Sequence, residues 1–387
     1  MGNRKPYPLL SLKSPPLTNI YQNWNSTNHR KPPSLTSLAQ VDGKIVAPLT
    51  QSDWASNDFQ WILFSGFSNG LTIRGNGLFD GHGEAWWVSK YLDTYESEFE
   101  PNYFGPKNKP VNYRPHALRI GGSANVTVTG ITIQNTPKMH IFIGSSQYVT
   151  IYNLTVSSPG NSPNTDGIHL TSVQHADIHN STLACGDDCV SIQTGCSDVV
   201  IYDVDCGPGH GYSIGGLGPD GKEAQVSKIN VVNSTVADSL TGVRIKTWPG
   251  GFGSVHDVKF SNITMTDVKT PIVIDQNYCG GSKYCNMSLT NKAVAISGIS
   301  YENIRGTYTY RSVSLACSIY NPCRNLTIDT IDLNPSEGNG NNEPHCSNAY
   351  GDVIGDTTPP LEDCLLPCGA PAPARMPKDG DYLFGLF

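Results

Sequence analysis

The sequence predicts an all-β fold, a right-handed single-stranded parallel β-helix, and three observations carry that prediction. A short alternating segment recurs at coil-like intervals. Charged residues make up only 15% of the chain, and 39 glycines punctuate a sequence rich in Asn, Ser and Thr. Soluble domains usually carry about 25% charge, and this composition suits short strands and many turns rather than long helices. At 387 residues, one continuous core is natural only where each repeat buries its apolar face on the next.

The recurring segment reads Leu71-Thr-Ile-Arg-Gly75, Val126-Thr-Val-Thr-Gly130, Val149-Thr-Ile-Tyr-Asn153 and Ala176-Asp-Ile-His-Asn180. It continues as Val199-Val-Ile-Tyr-Asp203, Ile229-Asn-Val-Val-Asn233, Val258-Lys-Phe-Ser-Asn262, Val294-Ala-Ile-Ser-Gly298 and Leu326-Thr-Ile-Asp-Thr330. Successive pivots from Gly130 onward lie 23, 27, 23, 30, 29, 36 and 32 residues apart, a spacing typical of repeat folds. Period-2 alternation with β-branched residues, bounded by Gly, Asn, Asp and Ser, marks each unit as a strand closed by turns. Without convincing amphipathic helices between units, leucine-rich repeats and βαβ stacks are disfavoured. An antiparallel sandwich would also alternate, but it calls for tight hairpin signals every 8–12 residues or so.

The repeat sets the expected boundaries: an atypical, truncated or disordered segment over 1–41, a β-helix over 42–333, and a Gly/Pro-rich tail over 334–387 pinned by disulfides. Met1–Pro33 contains no apolar core of the kind a signal peptide needs. No membrane-spanning run is evident, and Pro6 stands where a myristoylation signal needs Ser or Thr. The start is therefore expected to be truncated or misassembled.

All 11 cysteines fall between Cys185 and Cys368. Several are close neighbours: Cys185, Cys189, Cys196 and Cys206, then Cys279/Cys285, Cys317/Cys323 and Cys364/Cys368. Buried reduced thiols are the plainer reading; local disulfides in an oxidising compartment are the favoured one. Eight Asn-X-Ser/Thr sequons point the same way: Asn25, Asn125, Asn153, Asn180, Asn233, Asn262, Asn286 and Asn325. Zinc is disfavoured because no Cys-X2-Cys pair with a matching His follows. A formal charge of −7 argues against a nucleic-acid partner, which requires a basic face.

Four motifs fall in consecutive coils: Asn164-Thr-Asp166, Gly186-Asp-Asp188, Gly209-His-Gly211 and Arg244-Ile-Lys246. From Asp166 to Asp187, Asp187 to His210 and His210 to Arg244 the steps are 21, 23 and 34 residues, which match the coil period. Stacking then converts distant residues into one vertical stripe. Taken singly, each Asp and His210 reads equally well as a turn residue, and Arg244 with Lys246 as a solvated strand face. Their order and register favour a site. Glycoside cleavage needs an acid to protonate the leaving oxygen and a base to activate water, held roughly 6.5–9.5 Å apart when configuration inverts. Crowded carboxylates raise the pKa of at least one and keep a proton available. Arg244 and Lys246 supply local positive charge for an acidic sugar.

In this order the motifs resemble those of the polygalacturonases of glycoside hydrolase family 28. The resemblance runs from about Gly43 to Cys368 and includes Gly75-Asn-Gly77, Asp80-Gly81 and Gln276-Asn-Tyr278. The run from Gly209 to Gly218 looks like the plant members. The resemblance implies an inverting hydrolase of α-1,4-galacturonosyl linkages, with Asp187 as general acid and Asp166 and Asp188 activating the water. His210 would tune the acid. Asn164, Gly211, Arg244, Lys246, Gln276 and Tyr278 would hold polygalacturonan. It implies a Cys189–Cys206 disulfide; Cys185 and Cys196 are an additional close pair expected to staple the same coil. It also implies a secreted, cell-wall monomer without metal or cofactor. The family's upstream Phe-Gly-Ala-X-Gly-Asp-Gly strand and helical cap have no counterpart in this sequence. Two alternatives therefore stand beside hydrolysis: a calcium-dependent pectate lyase on the same fold, and a non-catalytic wall-binding homologue.

Overall fold

The computed structural model describes residues 19–21, 36–54, 60–87, 114–280, 291–338, 342–367 and 370. Every strand pairing among them is parallel, and the strands stack into the coils of a right-handed β-helix. Parallel strands cannot be joined by tight hairpins. Here each strand returns only after a full coil, so its neighbour is the equivalent segment of the next repeat.

Three ladders run the length of the helix. One, called here the floor sheet, climbs from Asn19–Tyr21 through Gln60–Ser65, His116–Gly121 and Ile141–Gly144 to Ile168–Thr171 and Val190–Ile192. It continues through Tyr212–Leu217, Thr241–Thr247, Thr270–Asp275 and Val313–Ala316 to His345–Ser347. The recurring sequence segment builds the second ladder. Its two apolar positions point inward by strand alternation and form continuous columns. Val126, Val149, Ala176, Val199, Ile229, Val258, Ile299 and Leu326 make one; Val128, Ile151, Ile178, Ile201, Val231, Phe260, Tyr301 and Ile328 make the other. All of these are buried. Each such Val or Ile contributes about 1.5–3 kcal/mol through burial.

The pivots are corners. Asn153, Asn180, Asp203, Asn233, Asn262, Asn303 and Thr330 all have φ between 47° and 53°, the left-handed region that Asn and Asp tolerate best. Each turns the chain from the second ladder into the third. Asn262 Nδ2 donates to Asn233 Oδ1 at 3.2 Å, and Asn303 Nδ2 to Asn262 Oδ1 at 2.7 Å, so the corners are tied coil to coil. The expected pivot at Gly298 is one corner out of step. Gly298 stacks beside Asp257, between the pairs His256↔Ser297 and Val258↔Ile299, whereas Asn303 follows Asn262 after 41 residues. Gly298 misleads because it is itself a left-handed corner, with φ of 64°.

Pairing passes both expected boundaries. Ser37–Gln40 pairs with Leu71–Arg74 before residue 42, while Ala349–Val353 and Thr357–Thr358 pair with Cys323–Pro335 after residue 333. These short strands carry too little alternation to be read from sequence. Disulfides join Cys189–Cys206, Cys317–Cys323 and Cys346–Cys364. Cys279 is also disulfide-bonded; Cys285 and Cys368, with the sequons Asn25 and Asn286, lie outside the described residues.

The expected Cys185–Cys196 pair does not form, and both residues are buried free thiols. The strand Val190–Ile192 runs between them. Cys185 Sγ donates to the Asp187 carbonyl oxygen at 3.1 Å, and Cys196 Sγ meets the Leu170 carbonyl oxygen at 3.5 Å. Burial pushes the Cys196 thiol up to about 12 and Cys185 well above its ordinary value.

Candidate active site

The floor sheet sets the site because its rungs are in register: Ile168 opposes Val190, Val190 opposes Tyr212, and Tyr212 opposes Val243. Adjacent rungs lie about 4.8 Å apart. Asp166, Asp188 and His210 each stand two residues before an aligned strand residue, and Arg244 and Lys246 lie on the next rung. The expected stripe therefore forms, and it draws the three carboxylates, His210, Arg244 and Lys246 together.

Asp188 is the deepest of the carboxylates. It is 2% exposed, and its Oδ1 accepts from Arg244 Nη2 at 2.6 Å and Ser213 Oγ at 2.7 Å, while Oδ2 accepts from Lys246 Nζ at 3.0 Å. Arg244 Nε also donates to Ser213 Oγ at 3.1 Å. Burial pushes the Asp188 carboxyl up, but the charges of Lys246 and Arg244 outweigh it and hold the group below the usual range. Both cations thus bond Asp188.

Asp187 is more open, with 19% of its side chain exposed, and His210 beside it has 27%. His210 Nδ1 lies 3.0 Å from Asp187 Oδ1. The backbone fixes this pair as well, since His210 N donates to the Asp187 carbonyl at 2.7 Å. Burial pushes Asp187 up, yet the charge and hydrogen bond of His210, with help from Lys246 and Arg244, hold it well below the carboxylate range. Asn164 Nδ2 reaches Asp187 Oδ2 at 3.4 Å, and Arg114 anchors Asn164 through Nη2.

Asp166 has the opposite character. It is 4% exposed, and burial, followed by the charge of Asp187, raises its carboxyl to about 6 against the lowering influence of His169. His140 braces its turn: Nδ1 lies 2.9 Å from the Asp166 carbonyl oxygen and Nε2 2.8 Å from Ser158 Oγ. Burial pulls His140 down to about 4, so it is neutral scaffolding at mildly acidic pH.

Beyond the carboxylates, Lys246 Nζ sits 5.2 Å from the centre of the Tyr278 ring, which meets Trp248 edge-on at 5.7 Å. The glycine-rich run admits this arrangement. A Cβ at Gly216 would stand 2.8 Å from the Tyr278 ring, and one at Gly211, whose φ is 77°, 2.1 Å from the Gly242 carbonyl oxygen. Gly211 is therefore a backbone-approach residue. Gln276 differs from expectation: it is 1% exposed, and its amide is consumed inside the wall by the Val294 and Asn321 carbonyls and the Ser318 N–H. Its amide is therefore turned into the wall.

Residues not anticipated from sequence include His169, His140, Ser213, Arg114 and Asp275, whose carboxyl burial raises to about 6. His169 was readable in principle, because Ile168 and Leu170 flank it and point inward. Asp187, Asp188 and His210 bring ligand atoms within 4.8 Å of one another. Arg244 and Lys246 already neutralise Asp188 there, which suits a proton-sharing group better than a cation site.

Residues 34–354 match the family described as glycosyl hydrolases family 28. A probable polygalacturonase of Arabidopsis thaliana is 38% identical over 83% of this chain and 69% of its own length. A polygalacturonase of Persea americana is 40% identical over 80% of this chain and 64% of its own length. Among solved structures, the polygalacturonase from Erwinia carotovora superposes with a TM-score of 0.63 at 22% identity, covering 83% of this chain and 84% of that one. The chain belongs to glycosyl hydrolases family 28 and is a glycoside hydrolase acting on O-glycosyl bonds. It spans about two thirds of the length of these two curated relatives.

Proposed function

We propose that the protein hydrolyses α-1,4-galacturonosyl linkages in polygalacturonan by an inverting acid/base mechanism. The observation that carries this reading is the Asp187–His210 pair at 3.0 Å, open to solvent between the two buried carboxylates Asp166 and Asp188. Asp187 protonates the leaving glycosidic oxygen. Asp166, whose raised carboxyl ionises near the working pH, takes the proton from the attacking water, and Asp188 keeps the basic pair in place beside it.

Asp187 and His210 act as one pair that holds one proton between them. His210 returns that proton to Asp187 as charge develops on the leaving oxygen. A galacturonate carboxylate near Lys246 and Arg244 adds negative charge beside Asp187 and raises its affinity for the proton. Tyr278 and Asn164 flank the sugar position. The disulfides support an oxidising, extracellular location, and the corner sequons Asn125, Asn153, Asn180, Asn233, Asn262 and Asn325 are exposed. Among the described residues no helix is long and apolar enough to cross a membrane. A monomer acting on cell-wall pectin fits these features.

The test is reducing-end release from polygalacturonate by the chain, measured with and without chelator. Release that survives chelator, with no ultraviolet-absorbing unsaturated product, is expected. Unsaturated product lost on chelation identifies a lyase, and a soluble folded protein that releases nothing identifies a binding protein.

A further inference from the structure

We propose that His169 is a positioning residue for this reaction: its neutral imidazole donates Nδ1–H to Asp166 Oδ2 and holds that carboxylate oriented as the base. The inference rests on the hydrolytic reading for its catalytic meaning, but the contact itself is open to direct measurement.

His169 Nδ1 and Asp166 Oδ2 are 3.0 Å apart, and the two side chains are 2% and 6% exposed. The pair spans three residues of one turn and strand. Ile168 and Leu170 point into the core, so alternation sends His169 to the outer face, where the preceding turn brings Asp166 against it. The ring is clamped, stacking on Phe142 at 5.1 Å and 14°, and Phe142 in turn lies beneath the Arg119 guanidinium at 4.9 Å. The stack on Phe142 and the bond to Asp166 together orient the imidazole.

The tautomer follows from the other nitrogen. Among the described residues His169 Nε2 is buried without a hydrogen-bond partner. A proton there would be a buried donor with no acceptor, which is costly. An imidazolium would carry the same unsatisfied donor. The carboxylates of Asp187 and Asp188 oppose the ionisation of Asp166. The neutral Nδ1–H form satisfies the one bond available, and that bond favours the ionised carboxylate. Without it, Asp166 faces two neighbouring carboxylates in a buried site with its principal donor gone.

Two measurements test this. In the intact protein, imidazole ¹⁵N chemical shifts should show His169 protonated at Nδ1 and bare at Nε2 at the pH of the activity assay. An imidazolium or an Nε2–H tautomer there overturns the proposal whether or not the protein cleaves pectin. In kinetics, His169→Phe keeps a ring for the stack and removes the donor. It should lower kcat by about 10–100-fold, the effect of losing one buried hydrogen bond, leave KM nearly unchanged, and move the acid limb of kcat/KM to higher pH. His169→Asn, which retains a short donor, should restore most of kcat and the acid limb. A raised KM with unchanged kcat, or an unmoved acid limb in both variants, overturns it in favour of a sugar contact or plain packing. If His169→Phe does not fold, the ¹⁵N shifts and the His169→Asn profile decide. An inactive wild type with the expected tautomer would count against hydrolysis, not against this contact.

Discussion

The Arg244 guanidinium meets the Asp188 carboxylate at 2.6 Å with both groups almost wholly out of solvent. Removing Asp188 strands two buried cations, because Lys246 loses the same partner. Asp188→Asn is expected to cost about 3–5 kcal/mol of stability as well as activity. Asp187→Asn should lower kcat by about 10²–10⁴-fold; it also gives up the stabilisation of a carboxylate held ionised by His210, but less than Asp188→Asn because no buried cation pair is stranded. Urea unfolding alongside reducing-end assays separates the two; equal destabilisation would contradict this order.

Asp166→Asn should stabilise the protein at neutral pH while abolishing turnover. The sign follows from the raised folded pKa of about 6. Between the unfolded value near 3.8 and the folded value, the native state binds more protons than the unfolded state, so stability falls as pH rises through that window. Above about pH 6 the wild type carries a steady penalty on the order of 2–3 kcal/mol, which the amide removes. Melting temperatures should diverge at pH 7.5 and converge at pH 3.5.

The pH–rate profile should rise as Asp166 ionises near pH 6. A wild-type rate still climbing above about pH 8 would contradict the acid/base assignment.

The corner ladder gives a prediction independent of catalysis. Asn303→Ala loses both the bond to Asn262 and the side chain that tolerates positive φ, and should destabilise by roughly 1–2 kcal/mol. Asn303→Gly loses only the bond, since Gly enters that region freely, and should cost less. Urea midpoints for the two variants test the order.

The inward columns of the β-helix were legible in the sequence because Val, Ile and Leu at alternate positions have one physical use in a strand. The stripe of Asp166, Asp187, Asp188, His210, Arg244 and Lys246 was legible because coil spacing and register are the same quantity. Partnering was not. That Arg244 and Lys246 both serve Asp188, that Gln276 turns inward, and that Cys185 and Cys196 remain thiols depend on side-chain direction within a coil, which spacing does not encode. Gly298 posed as the repeat pivot because a coil contains several left-handed corners, and only pairing identifies which corners stack.

The thiol of Cys185 also bears on how the protein is made. Short chain loops close most readily, so an oxidising chain would tend to couple Cys185 to Cys189, three residues between them, ahead of the longer native link from Cys189 to Cys206. The native arrangement instead leaves Cys185 reduced beneath Asp187. Recovery of the mature enzyme should therefore depend on thiol–disulfide reshuffling, and an isomerase in the producing compartment should set the yield.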